Sequence, residues 1–444
     1  MNLIVRSGKP IKGTLNADSL YAIPGDKSLS HRAALFAALA TGESRIGNFL
    51  DSGVTHALLQ ALRQLGVTWE LKEKVLFVQG KGMDAFRPSE QVINCGNSAT
   101  TMRLLAGALS ASGIPAILDG SAGLRKRPMD RIVKPLQAMG VPISASEKLC
   151  APLFLLARDK NQKLQTGTYV LEQASAQVKT CLLLAGLGAD GEVVIHEPAA
   201  SRDHSERMLR SMGVDVRQID PLTIALTPPS GQLKPLQMDL PGDFSAAAFL
   251  IVAALITPGS DLRICDVGLN PGRTGLLDVL LRMGAQIEIH QKADQVGEPI
   301  GDLHVRYSYL HGSNVSGDLV VRMIDEFPVF AIAAAHSAGL SRVCGAQELR
   351  YKESDRISTL LQQLSLLGVQ TQESSDGFSI FGGKDFQGGN IHSQGDHRLA
   401  MSMAVAGLTS RSPIQIQQAE IINESFPNFS YLFNSLGADM EWQA

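Results

Sequence analysis

A short phrase recurs six times along the chain, and few folds can accommodate it. Its glycines are Gly66, Gly140, Gly213, Gly284, Gly368 and Gly437, each preceded by Leu or Met and followed by Val or Ala. A glycine placed after an apolar segment and before a small or β-branched residue predicts a helix that ends in the left-handed conformation ahead of a strand. The glycines stand roughly 70 to 85 residues apart, farther than the period of about 20 to 50 residues found in solenoids. Ahead of each lies an Ala-rich stretch: Ala33–Ala40, Thr101–Ser110, Ala176–Leu187, Ala246–Ile256, Val329–Ala338 and Leu399–Leu408. Small residues on several faces predict helices buried nearly all round. The chain thus reads as six units, each a strand, a buried helix, further strands and a second helix ending in glycine.

A second pattern divides the six into two threes. Pro24-Gly25-Asp26-Lys27-Ser28 returns as Pro241-Gly242-Asp243-Phe244-Ser245, and in both places a Pro-Gly turn and an Asp precede a run of Ala, Leu and Phe. That is a turn feeding a capped helix. With 444 residues, two domains of about 200 residues each are expected. The expected boundaries are 23–240 for one domain and 1–22 with 241–444 for the other, so that the chain crosses a hinge twice, and such hinges close on ligand. The fold class is α/β. The first turn carries Lys27, Ser28 and Arg32, whereas the second has Phe244 and no nearby base. One half is therefore expected to offer anion-binding groups from the start of a helix, where the dipole already favours negative charge, with the chemistry where the halves meet.

The formal charge of -3 gives no electrostatic case for a nucleic-acid partner. Five cysteines (Cys95, Cys150, Cys181, Cys265 and Cys344) without CxxC spacing argue against a disulfide framework or a thiolate metal site. Residues 1–13 lack the apolar core of a signal peptide, and the longest apolar run, Ala246–Ile256, is too short to span a bilayer. A cytoplasmic monomer without a membrane partner is expected. Gly186-Leu187-Gly188-Ala189-Asp190-Gly191 matches GxGxxG but follows a predicted helix and precedes a predicted strand, the reverse of a dinucleotide loop. No Walker-type or HExxH motif is present, so ATP, NAD and zinc lose support.

Short polar-basic clusters sit at the mouths of predicted helices or in Gly-rich turns: Lys27/Arg32, Asn97–Arg103, Leu124–Asp130, Ser201–His204, Tyr351–Arg356 and Gly395–Arg398. Converging Arg and Lys suit a small polyanion bearing phosphate and carboxylate. Ile324-Asp325-Glu326-Phe327-Pro328 adds two acids, and an acid among cations is a candidate general base, held ionised by its neighbours.

Pro-Gly-Asp-Lys-Ser-x-Ser-His-Arg, Gly-Asn-Ser-x-Thr-x-x-Arg, Leu-Arg-Lys-Arg-Pro-Met, Ser-Ala-Gln-Val-Lys, Ser-Arg-Asp-His, Asp-Glu-Phe-Pro, Lys-Glu-Ser-Asp-Arg and Asp-His-Arg occur in that order. In these motifs the whole chain resembles the 5-enolpyruvylshikimate-3-phosphate synthases, and among them the second, bacterial class. The resemblance implies two domains, each of three βαβαββ units in an inside-out α/β barrel, that close on substrate. It implies transfer of the enolpyruvyl group of phosphoenolpyruvate to the 5-hydroxyl of shikimate 3-phosphate, with no cofactor and no metal. By the same resemblance Lys27, Ser28, Arg32, Ser175, Gln177, Arg202, Asp325 and Lys352 hold shikimate 3-phosphate, and Lys27, Asn97, Ala99, Arg127, Gln177, Arg356 and Arg398 surround phosphoenolpyruvate. Asp325 takes the hydroxyl proton, and Glu353 with Lys27 serves the methylene carbon.

Three positions depart from the family pattern. Many members carry an acid near Val54, the first class has a Lys where Glu424 stands, and Ala99 replaces a Gly. Because that Gly leaves room for glyphosate in sensitive members, a methyl at Ala99 is expected to confer tolerance. The UDP-N-acetylglucosamine enolpyruvyl transferases share the architecture, but their reactive Cys is absent from Gly120–Arg127, where Ala122 stands. An RNA-end-processing protein built on a related repeat would want a basic groove, which the near-neutral charge does not favour.

Overall fold

The computed structural model describes residues 1–443 except 85, 160 and 384. The chain divides into two compact units, one of Met1–Pro24, Pro241–Ala293 and Pro299–Ala444, the other of Gly25–Leu240 and Asp294–Glu298. Among the described residues each unit holds three four-stranded sheets. All six sheets repeat one scheme, a parallel pair followed by two antiparallel pairings, as in Ile93–Asn94, Ala116–Asp119, Leu153–Leu155 and Ile143–Ala145. The α/β class and the sixfold repeat are thus those of the sequence.

One sheet of the Gly25–Leu240 unit and two of the other borrow a strand from a remote stretch, Lys12–Leu15 joining Asp261–Gly268 in parallel. Gln237–Asp239 pairs in parallel with Thr41–Gly47, with Met238 opposite Ile46. Asn2–Arg6 lies between Ile414–Gln417 and Asp439–Gln443, with Leu3 opposite both Ile416 and Trp442. The alternating burial of Asn2–Arg6 places Leu3 and Val5 in the core, as a strand with one covered face requires.

The six glycines close six helices. Their φ values are 86°, 84°, 92°, 93°, 82° and 107° in chain order, a region that costs little only for glycine. Beyond each, the next N–H reaches back to close the last turn: Val67 to the Leu62 carbonyl at 2.9 Å, Val141 to Leu136 at 2.9 Å, Val214 to Leu209 at 3.0 Å, Ala285 to Leu280 at 3.0 Å, Val369 to Leu364 at 3.1 Å and Ala438 to Phe433 at 3.0 Å. The apolar pair at the ends of each bond completes a Schellman stop.

The Ala-rich stretches form Lys27–Leu39, Ala99–Ser112, Ala176–Gly186, Phe244–Ile256, Phe327–His336 and His397–Gly407. Every residue of Phe244–Ile256 is buried. Five of the six begin before the apolar run does, and in four of these a capping side chain, Asp26, Ser98, Asp243 or Asp396, accepts first-turn N–H groups. Those first turns carry many of the groups described next. The segment after Ala176–Gly186 runs into the strand Val193–His196, so the GxGxxG match has a helix before it and a strand behind it.

Candidate active site

In the unit built on Gly25–Leu240, three buried helices are tied together near their N-termini. Asp26 caps the first, its Oδ1 accepting the Leu29 N–H at 2.9 Å. Gly25 lets the chain enter this turn at close quarters, since a Cβ there would fall 1.7 Å from the Asn48 carbonyl oxygen. Ser98 caps the second and Ser175 the third, accepting from Thr101 at 3.1 Å and from Val178 at 3.4 Å. Arg32, 2% exposed, joins first to third: its guanidinium donates to the Ser28 carbonyl at 3.0 Å, the Ala176 carbonyl at 3.3 Å, Thr180 Oγ1 at 2.9 Å and Ser205 Oγ at 2.8 Å. Gln177 joins third to second, donating to Thr100 Oγ1 at 2.8 Å and accepting from Arg103 at 2.7 Å. Three neighbouring helix N-termini sum their partial positive charges, a ready place for an anion.

Lys27 and Ser28 open the first helix and are half-buried; Asn97 is half-buried, and Ala99, 6% exposed, is the first residue of the second. Asn97 Oδ1 accepts from Ser121 Oγ at 2.9 Å. Arg127 follows the short turn Leu124–Lys126, and Arg202 precedes the helix His204–Ser211; both are half-buried. His31 lies beneath Lys27, its Nδ1 donating to the Lys27 carbonyl at 2.8 Å. Burial, with the charges of Lys27 and Arg32 beside it, pushes this imidazole down to about 4.

The other unit repeats the arrangement with acids. Asp243, Glu326 and Asp396 stand at the N-termini of Phe244–Ile256, Phe327–His336 and His397–Gly407. Ser245 donates to Glu326, and Arg398 lies 3.8 Å from the same carboxylate. The sequence placed no base near the second Pro-Gly-Asp turn, and the structure corrects this. Arg273, remote along the chain, is buried against it, donating to Asp243 at 2.7 Å and Ser245 Oγ at 3.0 Å.

Asp325 is a partly covered carboxylate, its side chain 18% exposed, 3.8 Å from Lys352 Nζ and 3.7 Å from Arg356 Nη1. Arg356 is buried and also donates to Asp396 at 2.7 Å and Glu353 at 2.6 Å. Burial opposes its charge, but Asp396 and Glu353 outweigh burial and hold its pKa above the ordinary value. Burial would raise Asp396, and the facing Arg356 more than reverses this, holding it below the carboxylate range. The cluster is thus a chain of charges in which each carboxylate meets a guanidinium or ammonium.

The structure accordingly groups Lys27, Ser28, Arg32, Asn97, Ala99, Ser175 and Gln177 around one set of helix mouths, and Asp325, Lys352, Glu353 and Arg356 around another, with Arg398 at Glu326. Sequence reasoning missed Thr100 and Arg103 as the partners of Gln177, although their spacing of three within Asn97–Arg103 puts them on one helix face. It also missed Asp396 as the partner of Arg356, for which no local signal exists. Val54 lies in the helix Gly53–Gln64, capped by Ser52 and Thr55, and Glu424 ends the turn Ala419–Glu424. A cavity of about 350 Å³ lined by Asp130, Arg131, Lys134, Tyr169 and Gln173, among others, lies in the same unit as Lys27. It contains none of the predicted site residues. Among the described residues no cluster of His, Cys, Asp and Glu is set to hold a metal, and no helix is long and apolar enough to cross a membrane.

Known proteins resemble this chain over nearly its whole length. The family model for EPSP synthase (3-phosphoshikimate 1-carboxyvinyltransferase) matches residues 5–432. A 3-phosphoshikimate 1-carboxyvinyltransferase of Syntrophomonas wolfei is 44% identical over 96% of this chain and 98% of its own length. The solved EPSP synthase of Acinetobacter baumannii superposes with a TM-score of 0.86 at 40% identity, covering 99% of this chain and 100% of that one. The enolpyruvyl transferase NikO of Streptomyces tendae shares the fold, with a TM-score of 0.78 at 18% identity over 99% of this chain and 98% of its own. With its six repeats, its paired sets of helix mouths and these likenesses, the chain belongs to the EPSP synthase family, the 3-phosphoshikimate 1-carboxyvinyltransferases, and is a transferase.

Proposed function

We propose that the chain joins phosphoenolpyruvate to the 5-hydroxyl of shikimate 3-phosphate and releases phosphate, by addition and then elimination. The observation that carries the mechanism is the setting of Asp325, a carboxylate held 3.7 to 3.8 Å from two cations. Such neighbours favour its ionised form, so it is available as a base. The hydroxyl oxygen bonds to C2 of phosphoenolpyruvate as its proton passes to Asp325, and a proton is delivered to C3 with Glu353 and Lys27 serving that carbon. The resulting tetrahedral ketal bears both phosphate and carboxylate. It then loses a C3 proton and expels phosphate by C–O cleavage, restoring the double bond.

Lys27, Asn97, Ala99, Arg127, Gln177, Arg356 and Arg398 are assigned to phosphoenolpyruvate. Lys27, Ser28, Ser175, Gln177, Arg202 and Lys352 are assigned to shikimate 3-phosphate, with Arg32 supporting them from behind Ser28 and Ala176. Fixed cations and helix N-termini need no reorganisation as negative charge gathers on the ketal, which is the main source of rate in such a site. Tolerance of glyphosate belongs to the same proposal, and so does action as a cytoplasmic monomer, for which the five free cysteines fit a reducing compartment. The test is mass spectrometry of the product formed from phosphoenolpyruvate with either shikimate 3-phosphate or UDP-N-acetylglucosamine as acceptor. An enol ether on the first alone is expected; product on the sugar nucleotide alone would assign the other enolpyruvyl transfer.

A further inference from the structure

One turn beyond Ser175, the Ala176–Gly186 helix carries a lysine with no part in the reaction above. Lys179 is 3% exposed, and its ammonium lies 2.7 Å from Glu197 Oε2, 2.8 Å from Glu206 Oε1 and 3.3 Å from the Ser201 carbonyl. Both carboxylates are also buried. A lysine enters a protein interior only when paired. Burial opposes its charge, but Glu206 and Glu197 outweigh burial and raise its pKa above the ordinary value, so it stays charged.

One ammonium does not balance two carboxylates, and Arg32 lies near enough for Glu206 to favour its charge. Its bonds go to Thr180 and Ser205, the chain neighbours of Lys179 and Glu206. Burial drives Arg32 down to about 10, with Arg202 adding to the fall and Glu206 opposing it. Lys179, Glu197 and Glu206 therefore form a buried ion cluster, with Arg32 beside it.

The group reaches three stretches that bear proposed ligands of shikimate 3-phosphate. Lys179 belongs to the helix of Ser175 and Gln177. It holds the Ser201 carbonyl, while Glu197 accepts the Ser201 N–H at 3.5 Å, which fixes both backbone groups of the residue before Arg202. Through Arg32 the group also reaches the Ser28 carbonyl. Buried ion networks of this kind are often no better for stability than apolar side chains of the same size, whereas holding charged ligands in place to within a fraction of an ångström has a large effect on binding.

We infer that Lys179 is a positioning residue for shikimate 3-phosphate, clamping the Ser201–Arg202 segment to the Ala176–Gly186 helix through Glu197 and Glu206. This rests on the assignment of Ser175, Gln177 and Arg202 made above. The test is steady-state phosphate release by the parent, Lys179→Met and Glu206→Gln, each first checked for a cooperative thermal transition. Lys179→Met is expected to raise the KM for shikimate 3-phosphate by about tenfold or more while the KM for phosphoenolpyruvate and kcat stay within about threefold. Glu206→Gln, the same size but uncharged, moves the same constant in the same direction, and decides the matter if Lys179→Met does not fold. A folded variant with the KM for shikimate 3-phosphate unchanged, or with all three constants altered together, overturns the inference. An inactive parent would instead overturn the proposed reaction, so the two failures are separable.

Discussion

Ala99 is the first residue of its helix and 6% exposed, so its methyl has no rotamer by which to withdraw. Overpacking by one carbon costs about 1 to 3 kcal/mol, or roughly tenfold to a hundredfold in affinity. Glyphosate, longer than phosphoenolpyruvate, should bear most of that cost. Ala99→Gly is therefore expected to lower the inhibition constant for glyphosate by at least about tenfold, with a modest change in the KM for phosphoenolpyruvate. Equal inhibition constants in parent and variant would show that the methyl is not the cause. His31 makes a second prediction through its charge. Unfolded, an imidazole takes its proton near pH 6.5; folded, this one resists protonation until about 4. The unfolded chain thus binds more protons in that window, and stability present above pH 6.5 is lost as pH falls toward 4, by roughly 3 kcal/mol in full. His31→Asn should flatten the dependence of the urea midpoint on pH between 7 and 5. An unchanged slope would assign the loss to other groups.

Helix ends decide the second set of expectations. At Gly213 a Cβ would meet only Lys234 Cε at 3.8 Å, so the strain of Gly213→Ala comes from its φ of 92° alone, about 1 to 2 kcal/mol. At Gly368 a Cβ would also fall 2.8 Å from Gln387 Cγ, so Gly368→Ala should lower the urea midpoint further. Midpoints equal to the parent's for both variants would contradict the reading of these glycines as left-handed stops. Such stops were legible because they are local: the glycine, the apolar residue before it and the small one after it lie within a few residues. The buried helices were legible from composition, but five of their starts were not. Hydrophobic patterning begins at Ala33, Thr101, Ala246, Val329 and Leu399, whereas the helices begin at Lys27, Ala99, Phe244, Phe327 and His397. Four of these first turns are held by the caps Asp26, Ser98, Asp243 and Asp396, and many of the candidate site residues stand in or beside those turns.

What the sequence concealed across the molecule is which charges meet. Arg273 and Asp243, Arg356 and Asp396, and Lys179 with Glu197 and Glu206 are brought together by strand pairing and helix packing, and nothing in the spacing of any one segment announces them. The motifs named Lys179, Arg356, Asp243 and Asp396 but not Arg273, Glu197 or Glu206, and the structure supplies the pairings that orient them. In one unit the helix mouths present hydroxyls, Lys27 and an uncharged wall at Ala99; in the other, Asp325 stands between Lys352 and Arg356. The proposed reaction gives that carboxylate the one task a neutral isostere cannot perform. Phosphate release and calorimetric binding of shikimate 3-phosphate, measured side by side on the parent and on Asp325→Asn, test this most directly. Binding within about tenfold of the parent with turnover lowered by about a hundredfold or more is the expected result; near-normal turnover in Asp325→Asn would contradict it.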